Sequence, residues 1–203
     1  EGKFEYHQSD DLIEKHTHVI FKFDDNTELR YLDVRKFGRF VLLDKNQSPM
    51  YKGLQKLGPE PIPSDFKLPL FTQQLTTKKK AIKPLLLDQT LVTGLGNIFV
   101  DEALFRSQIH PEQEANTLTR QEIQKLHQEI ISVLGEAVEA GGTTIRTYQN
   151  ALGDAGKFQV SLKVYGQTGK PCPRCGKEIV KTKVAQRGTH FCPSCQVYQY
   201  RGV

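Results

Sequence analysis

Four cysteines lie in two pairs near the C-terminal end of this 203-residue chain, and they are all the cysteines it has. The pairs are Cys172-x-x-Cys175 and Cys192-x-x-Cys195, with sixteen residues between them. Two short Cys turns joined by a stretch of hairpin length can place four thiolate sulfurs at tetrahedral corners, which is the arrangement of a structural zinc site. Sulfur-only ligation leaves no open coordination position. We therefore expect one Zn²⁺ that holds this segment folded and takes no part in catalysis.

The cysteine pairs are also compatible with two uses other than zinc binding. A pair of disulfides is one alternative, and a redox protein that works through its Cys pairs is another. The charged start, Glu1-Gly2-Lys3, leads us to expect no secretory leader, and two-residue loops between paired cysteines favour a metal. The zinc site is the preferred interpretation.

Positive charge is concentrated in the same segment. The whole chain carries a formal net charge of +5, but residues 160–203 alone carry +7, which leaves the remainder at −2. The basic residues of the segment are Lys163, Lys170, Arg174, Lys177, Lys181, Lys183, Arg187 and Arg201. A basic zinc hairpin on a nearly neutral body is typical of nucleic-acid binding, because phosphate contacts supply most sequence-independent affinity. A merely solvated charged hairpin is the alternative.

The first part of the chain alternates in polarity as strands do. The pattern predicts strands at 18–23, 29–34 and 40–43, connected as a β-meander. Gly58-Pro59-Glu60-Pro61-Ile62-Pro63 then interrupts the pattern and predicts a stiff linker.

Beyond the linker the period becomes helical. Helices are predicted at 81–89 and 98–105, on either side of Gly94-Leu95-Gly96-Asn97. A longer helix is predicted to start at the capping box Thr119-x-x-Glu122 and to end at Gly141-Gly142. Its expected apolar stripe is Ile123, Leu126, Ile130, Leu134 and Val138. Residues 143–157 are predicted to form a long functional loop, and Phe158 to Val164 a strand that enters the zinc hairpin.

Two local motifs suggest nucleic-acid chemistry. Asn97 is predicted to cap its helix, whose N-terminal N–H groups attract phosphate; the alternative is an ordinary junction between two helices. Asp101 and Glu102 are interpreted as first-turn residues that compensate the helix dipole. The second motif contains Arg35 and Phe37, because a guanidinium can contact a base edge while a ring enters a base stack. Its alternative, which composition alone favours, is a core Phe37 with Arg35 paired to Asp33.

Four motifs in this order resemble the formamidopyrimidine-DNA glycosylases, a bacterial base-excision family for oxidised purines. The motifs are Asp33-Val34-Arg35-Lys36-Phe37-Gly38, Ile82-Lys83-Pro84 to Leu87-Asp88-Gln89, Gly94-Leu95-Gly96-Asn97-Ile98 to Asp101-Glu102, and Pro171-Cys172 through Arg187-Gly188-Thr189-His190-Phe191-Cys192-Pro193. The resemblance implies an α+β multidomain fold with DNA bound between domains: part of a β-sandwich at 1–57, a linker at 58–70, a helix-two-turn-helix domain with a lesion-capping loop at 71–157, and a zinc hairpin at 158–203.

The resemblance also implies roles for individual residues. Asn97 and Lys83 would hold phosphates beside the damaged nucleotide, with His16 and Lys78 as further DNA contacts. Arg35 would face the base opposite the lesion with Phe37 wedged beside it, and Arg187 would hold phosphates and assist the last elimination step. The pocket for the extruded base would comprise Glu1, Thr143, Arg146, Thr147 and Tyr148. The implied activity is excision of 8-oxoguanine and formamidopyrimidines by base flipping, followed by β,δ-elimination, in the bacterial cytoplasm by a monomer.

The start of the chain departs from the family pattern. The family nucleophile is an N-terminal proline, followed by a glutamate acid/base and later a lysine, and these have no counterpart here. We therefore expect that the N-terminal catalytic portion is lacking and that these 203 residues bind DNA better than they cleave it. The rival hypotheses are the sister glycosylase for oxidised pyrimidines and a non-catalytic zinc-ribbon protein that binds intact and damaged duplexes alike.

Overall fold

The computed structural model describes residues 2–44, 46, 51–142 and 161–201. These residues belong to two compact units. The sheet unit comprises Glu1–Ser48 with Ala137–Val160, and the helix-zinc unit comprises Pro49–Glu136 with Ser161–Val203. The α+β fold class predicted from the sequence is confirmed, with strands first, helices next and a four-Cys β-hairpin last.

Over its described residues, the sheet unit contains three antiparallel strands: β1 (Gly2–Gln8), β2 (Thr17–Lys22) and β3 (Thr27–Asp33). Their order is β1-β3-β2, so the most strongly buried strand is central. The strands predicted near 18–23 and 29–34 are confirmed, but the meander order is wrong. Residues 40–43 form no strand, and Gly2–Gln8 takes the third place instead.

Aromatic packing explains why Phe40 leaves the strand pattern. Its ring lies against one face of the sheet, with its centroid 4.9 Å from that of Tyr31 and 6.2 Å from that of Phe4. The apolar pattern at 40–43 therefore reflects the packing of the Phe40 ring on the sheet rather than a strand within it.

In the part of the helix-zinc unit that the structure describes, four helices lie wholly within the unit: α1 (Lys52–Gln55), α2 (Leu68–Thr76), α3 (Ile82–Leu86) and α4 (Asn97–Ser107). A 3₁₀ turn at Ala115–Thr117 precedes α5 (Arg120–Glu139), whose last residues belong to the sheet unit. The hairpin strands are β4 (Val180–Val184) and β5 (Arg187–Phe191). None of the helices formed by the described residues has the length and apolar character needed to span a bilayer.

Both predicted ends of α5 are confirmed. The Glu122 carboxylate accepts hydrogen bonds from the N–H and the hydroxyl of Thr119 at 2.8 and 2.9 Å, and the Glu122 N–H donates to the Thr119 hydroxyl at 3.2 Å. At the other end, the N–H groups of Gly141 and Gly142 bond back to the carbonyls of Val138 and Ala137, with φ of +71° and +89°. These bonds form a Schellman motif, which favours glycine because of its positive φ.

The apolar stripe of α5 is correct in its first half and wrong in its second. Ile123, Leu126 and Ile130 are buried, but the stripe continues through Val133 and Ala137. Val138 is 79% exposed and Leu134 is only half-buried. A real helix alternates steps of three and four residues, so two further steps of four from Ile130 move off the buried face.

Candidate nucleic-acid interface

The four cysteines converge as the sequence predicts. Their Sγ atoms all lie within 4.8 Å of one another, with 3.5 Å between Cys175 and Cys192 and 3.9 Å between Cys172 and Cys195. An ideal tetrahedron with Zn–S bonds of about 2.3 Å has sulfurs roughly 3.8 Å apart. The donor set therefore fits one structural Zn²⁺, which would cross-link the two Cys turns beside strands β4 and β5.

The zinc hairpin packs on helix α4. Cys172 and Cys192 share a buried cluster with Phe105 of α4. The Arg174 guanidinium lies 4.9 Å from the centre of the Phe105 ring and donates to the Phe105 carbonyl at 3.2 Å. The Cys turns that would hold the metal are thus in direct contact with α4.

Helix α4 begins one residue earlier than the capping hypothesis requires. Gly96 is the N-cap and Asn97 is the first helical residue, so Asn97 does not cap the helix. Its side-chain Nδ2 instead donates to the Gly188 carbonyl of strand β5 at 3.0 Å. The preceding turn is held by Gln89, whose Nε2 donates to the Leu95 carbonyl and whose Oε1 accepts from the Gly94 N–H.

Lys83 is completely buried rather than exposed to solvent. Its Nζ donates to the Asp101 carboxylate at 2.6 Å and to the same Gly188 carbonyl at 3.0 Å. Burial lowers the pKa of Lys83, the Asp101 carboxylate opposes that effect, and the nearby Arg187 charge adds to it. The Gly188 carbonyl thus accepts from α3, through Lys83, and from α4, through Asn97.

Asp101 and Glu102 do not act as first-turn dipole residues. The first turn of α4 contains no acidic side chain, and both carboxylates are fully buried. Glu102 accepts hydrogen bonds of 2.9 to 3.0 Å from the backbone N–H groups of Lys163, Val164 and Tyr165. Leu162 and Val164 lie in irregular backbone, so the strand predicted from Phe158 to Val164 is wrong over its described part. Phe158 and Val160 lie outside the described residues.

Arg187 is exposed at the tip of the hairpin, where strand β5 begins. The two residues before it, Ala185 and Gln186, both have positive φ, +47° and +63°, and join β4 to β5 as a two-residue turn. Such a turn matches the twist of the strands it connects. Lys78 is also exposed, two residues after the end of α2.

In the sheet unit, Asp33 organises the loop that carries Arg35 and Phe37. Its buried carboxylate accepts hydrogen bonds from the N–H groups of Gly38 at 2.8 Å and Arg35 at 3.1 Å. The Gly38 N–H in particular, with help from Arg35, lowers the pKa of the Asp33 carboxyl. His16 is half-buried with φ of +74°, and its carbonyl accepts from the Asp33 N–H.

The alternative in which Phe37 is a core residue is wrong. The Phe37 side chain is 74% exposed, and the Arg35 guanidinium lies 5.1 Å from the centre of its ring. Asp33 contacts the Arg35 backbone rather than pairing with its side chain. The loop therefore presents a guanidinium stacked on an exposed ring.

Several predicted site residues lie outside the described residues. They are Glu1, Thr143, Arg146, Thr147 and Tyr148. Conversely, sequence reasoning did not identify the roles of Asp101, Glu102 and the Gly188 carbonyl. The available signal was the pair of adjacent acidic residues on a mainly apolar helix. Carboxylates are rarely buried unless they are paired, so acidic residues on a buried helix indicate partners elsewhere in the chain.

Family models match three parts of the chain. A formamidopyrimidine-DNA glycosylase N-terminal domain matches residues 1–40, and the H2TH domain of the same enzymes matches residues 57–149. A zinc finger found in FPG and IleRS matches residues 169–197.

Whole-chain relatives agree with the domain matches. The chain is 68% identical over 196 residues to the formamidopyrimidine-DNA glycosylase of Enterococcus faecalis, which covers 97% of this chain and 70% of the relative. It is 57% identical to that of Latilactobacillus sakei, with 97% and 71% covered.

Solved structures show the same likeness. A complex between the Lactococcus lactis Fpg and DNA containing an abasic site superposes with a TM-score of 0.92 at 51% identity, covering 97% of this chain and 72% of that one. MutM in complex with DNA containing carbocyclic 8-oxo-G gives a TM-score of 0.90 at 50% identity, with the same coverage. The chain belongs to the formamidopyrimidine-DNA glycosylase family.

Proposed function

We propose that this chain binds damaged duplex DNA and carries the lesion-recognition part of a DNA glycosylase/AP lyase for oxidised purines. The observation that carries the proposal is the shared Gly188 carbonyl, which ties the first residue of α4 to the hairpin that bears Arg187. A helix N-terminus and a guanidinium are thereby presented by one hydrogen-bonded cluster. Both bind phosphate oxygens.

The electrostatics of α4 support phosphate binding at its N-terminus. Its first turn carries no acidic side chain, and the two carboxylates further along are buried and bonded to Lys83, to β5 and to backbone N–H groups. The positive end of the helix dipole is therefore not neutralised by its own sequence. In this proposal Asn97 and Arg187 contact phosphates beside the damaged nucleotide, with Lys78 and His16 as further contacts. Lys83 is fully buried and acts only through the Gly188 carbonyl.

The sheet unit supplies the second part of the proposal. The exposed Phe37 ring enters the base stack where a base has been extruded, and Arg35 contacts the edge of the base left opposite. Their cation–π contact pre-orients both groups, which lowers the ordering cost of binding. A wedge of this kind offsets part of the cost of unstacking DNA.

The proposed reaction is base excision followed by β,δ-elimination, in which Arg187 assists the last step and Glu1, Thr143, Arg146, Thr147 and Tyr148 surround the extruded base. The zinc ion is structural, and its four thiolate ligands leave no position for substrate. We further propose that the protein acts as a monomer in the bacterial cytoplasm, in contact with the nucleoid. The predicted domain boundaries, after residues 57, 70 and 157, remain part of the proposal.

The experiment is a comparison of affinities for three duplexes at one salt concentration. They carry an abasic analogue opposite cytosine, 8-oxoguanine opposite cytosine, or no damage. We expect binding about tenfold or more tighter to the two damaged duplexes. Equal affinity for all three would contradict the proposal and favour a non-catalytic zinc-ribbon protein. Tighter binding to a duplex with an oxidised pyrimidine would instead favour the sister branch.

A further inference from the structure

Asp101 uses both carboxylate oxygens inside the protein. Oδ1 accepts from the Lys83 ammonium at 2.6 Å, and Oδ2 accepts from the His190 backbone N–H at 2.9 Å and lies 3.4 Å from His190 Nδ1. Asp101 and Lys83 are both fully buried. One side chain of α4 thus holds a lysine from α3 and a backbone group from β5.

The network continues to the hairpin tip. Lys83 donates its second hydrogen bond to the Gly188 carbonyl, which lies next to Arg187 and also accepts from Asn97. Asp101 therefore contacts β5 directly at His190 and indirectly, through Lys83, two residues earlier. Two attachment points on one short strand determine its orientation as well as its position.

Stability alone is a poor explanation for this arrangement. A buried ion pair costs desolvation energy that its attraction often fails to repay, and apolar pairs of similar volume frequently serve as well or better. What the ion pair determines here is orientation, because charged groups form directional hydrogen bonds and apolar side chains do not.

We propose that Asp101 is a positioning residue for DNA binding: through Lys83 and strand β5 it sets the place of Arg187 relative to the N-terminus of α4. The inference rests on the proposed function, since it requires Arg187 to contact DNA. Asp101 itself touches no phosphate in this account.

The test separates positioning from stabilisation. In the double variant Lys83→Met/Asp101→Leu, both charges leave the interior together, so the fold and the zinc content are expected to survive. We expect its affinity for the abasic-analogue duplex to fall about tenfold, a loss typical of one displaced charged contact. Glu136→Gln, which breaks the ion pair between Glu136 and Arg106, is the matched control and should bind as the parent does.

A second comparison asks whether the effect passes through Arg187. In an Arg187→Ala background, the same double replacement should cost less than about threefold, because coupled groups give non-additive effects. Full parental affinity of the double variant, or an additive loss, would overturn the inference. If the double variant does not fold, the near-isosteric Asp101→Asn undergoes the same two measurements with the same expected and contrary results. If Arg187→Ala itself leaves binding unchanged while the damaged duplexes are still preferred, the role of Asp101 fails and the proposed function stands; loss of that preference in the parent chain would overturn both.

Discussion

The Asp101 carboxylate and the Lys83 ammonium meet at 2.6 Å in the interior of the helix-zinc unit, although 18 residues separate them in the sequence. Lys83 also donates a hydrogen bond to the carbonyl of Gly188, which lies 105 residues later in the sequence. The helices and the zinc hairpin are therefore joined by a continuous set of charge-assisted hydrogen bonds. Such bonds are shorter and stronger than neutral ones.

Arg35 should control the choice of base opposite the lesion. Replacing Arg35 with alanine removes a group that can contact a base edge, so the ratio of affinities for lesion duplexes with cytosine and with adenine opposite should change by about fivefold or more. Arg39→Ala removes the same charge from the same exposed segment and should leave that ratio unaltered. Unchanged discrimination in Arg35→Ala would count against the assigned contact.

Glu102 should anchor the backbone of residues 163–165. In Glu102→Gln, an amide N–H₂ replaces one of the two oxygens that accept these backbone N–H groups. Leaving a buried donor without an acceptor costs about 1–3 kcal/mol, so the variant should unfold at lower temperature. Amide hydrogen exchange at Lys163 to Tyr165 should accelerate, whereas the exposed-site control Glu139→Gln should show neither change. Normal protection in Glu102→Gln would refute the anchoring role.

The turn before Arg187 should be stabilised by glycine. Gln186 has φ of +63°, a conformation that costs a side-chain-bearing residue about 1–2 kcal/mol and glycine almost nothing. After the greater chain entropy of glycine is subtracted, Gln186→Gly should raise stability by about 0.5 kcal/mol in thermal unfolding. Thr182→Gly, in the middle of β4, should lower it. A loss of stability in both variants would show that the turn does not have the described geometry.

Glu122 should make stability depend on pH in the acid range. The Arg201 guanidinium, followed by the Thr119 N–H and hydroxyl, lowers the pKa of Glu122 in the folded protein below its ordinary value of 4.5. A lowered folded pKa means that the stabilisation is complete above the unfolded pKa and is lost as pH falls through the folded value. The difference in melting temperature between the parent and Glu122→Gln should therefore be constant from pH 7 to about pH 5 and shrink toward pH 3. A difference that grows on acidification would contradict this assignment.

Local chemistry was predictable from the sequence. The Cys spacing identified the zinc ligands, and Thr119 with Glu122 located the start of α5, because in each case the interacting groups are near neighbours or follow a fixed spacing. The Gly141-Gly142 end of α5 was equally recognisable. The two ends of α5 depend on backbone geometry within a few residues, and the zinc ligands on a spacing that recurs in such sites.

Long-range partners were not predictable in the same way. Nothing near Glu102 in the sequence indicates that its carboxylate oxygens accept hydrogen bonds from N–H groups 61 to 63 residues away. The burial of Lys83 likewise depends on a hairpin whose Gly188 carbonyl lies 105 residues further along the chain. The strand predicted at 40–43 failed for a similar reason, because tertiary packing of Phe40 on Tyr31 overrides a local alternation.

The most direct test of the central claim is the salt dependence of DNA binding by the parent chain and by Arg187→Ala. If Arg187 contacts a phosphate, the plot of log K against log salt concentration should become less steep by about 0.9 in Arg187→Ala, on damaged and intact duplexes alike. Arg120→Ala, which removes an exposed positive charge at the start of α5, serves as the charge-matched control and should keep the parental slope. An unchanged slope in Arg187→Ala would contradict phosphate binding at the hairpin tip.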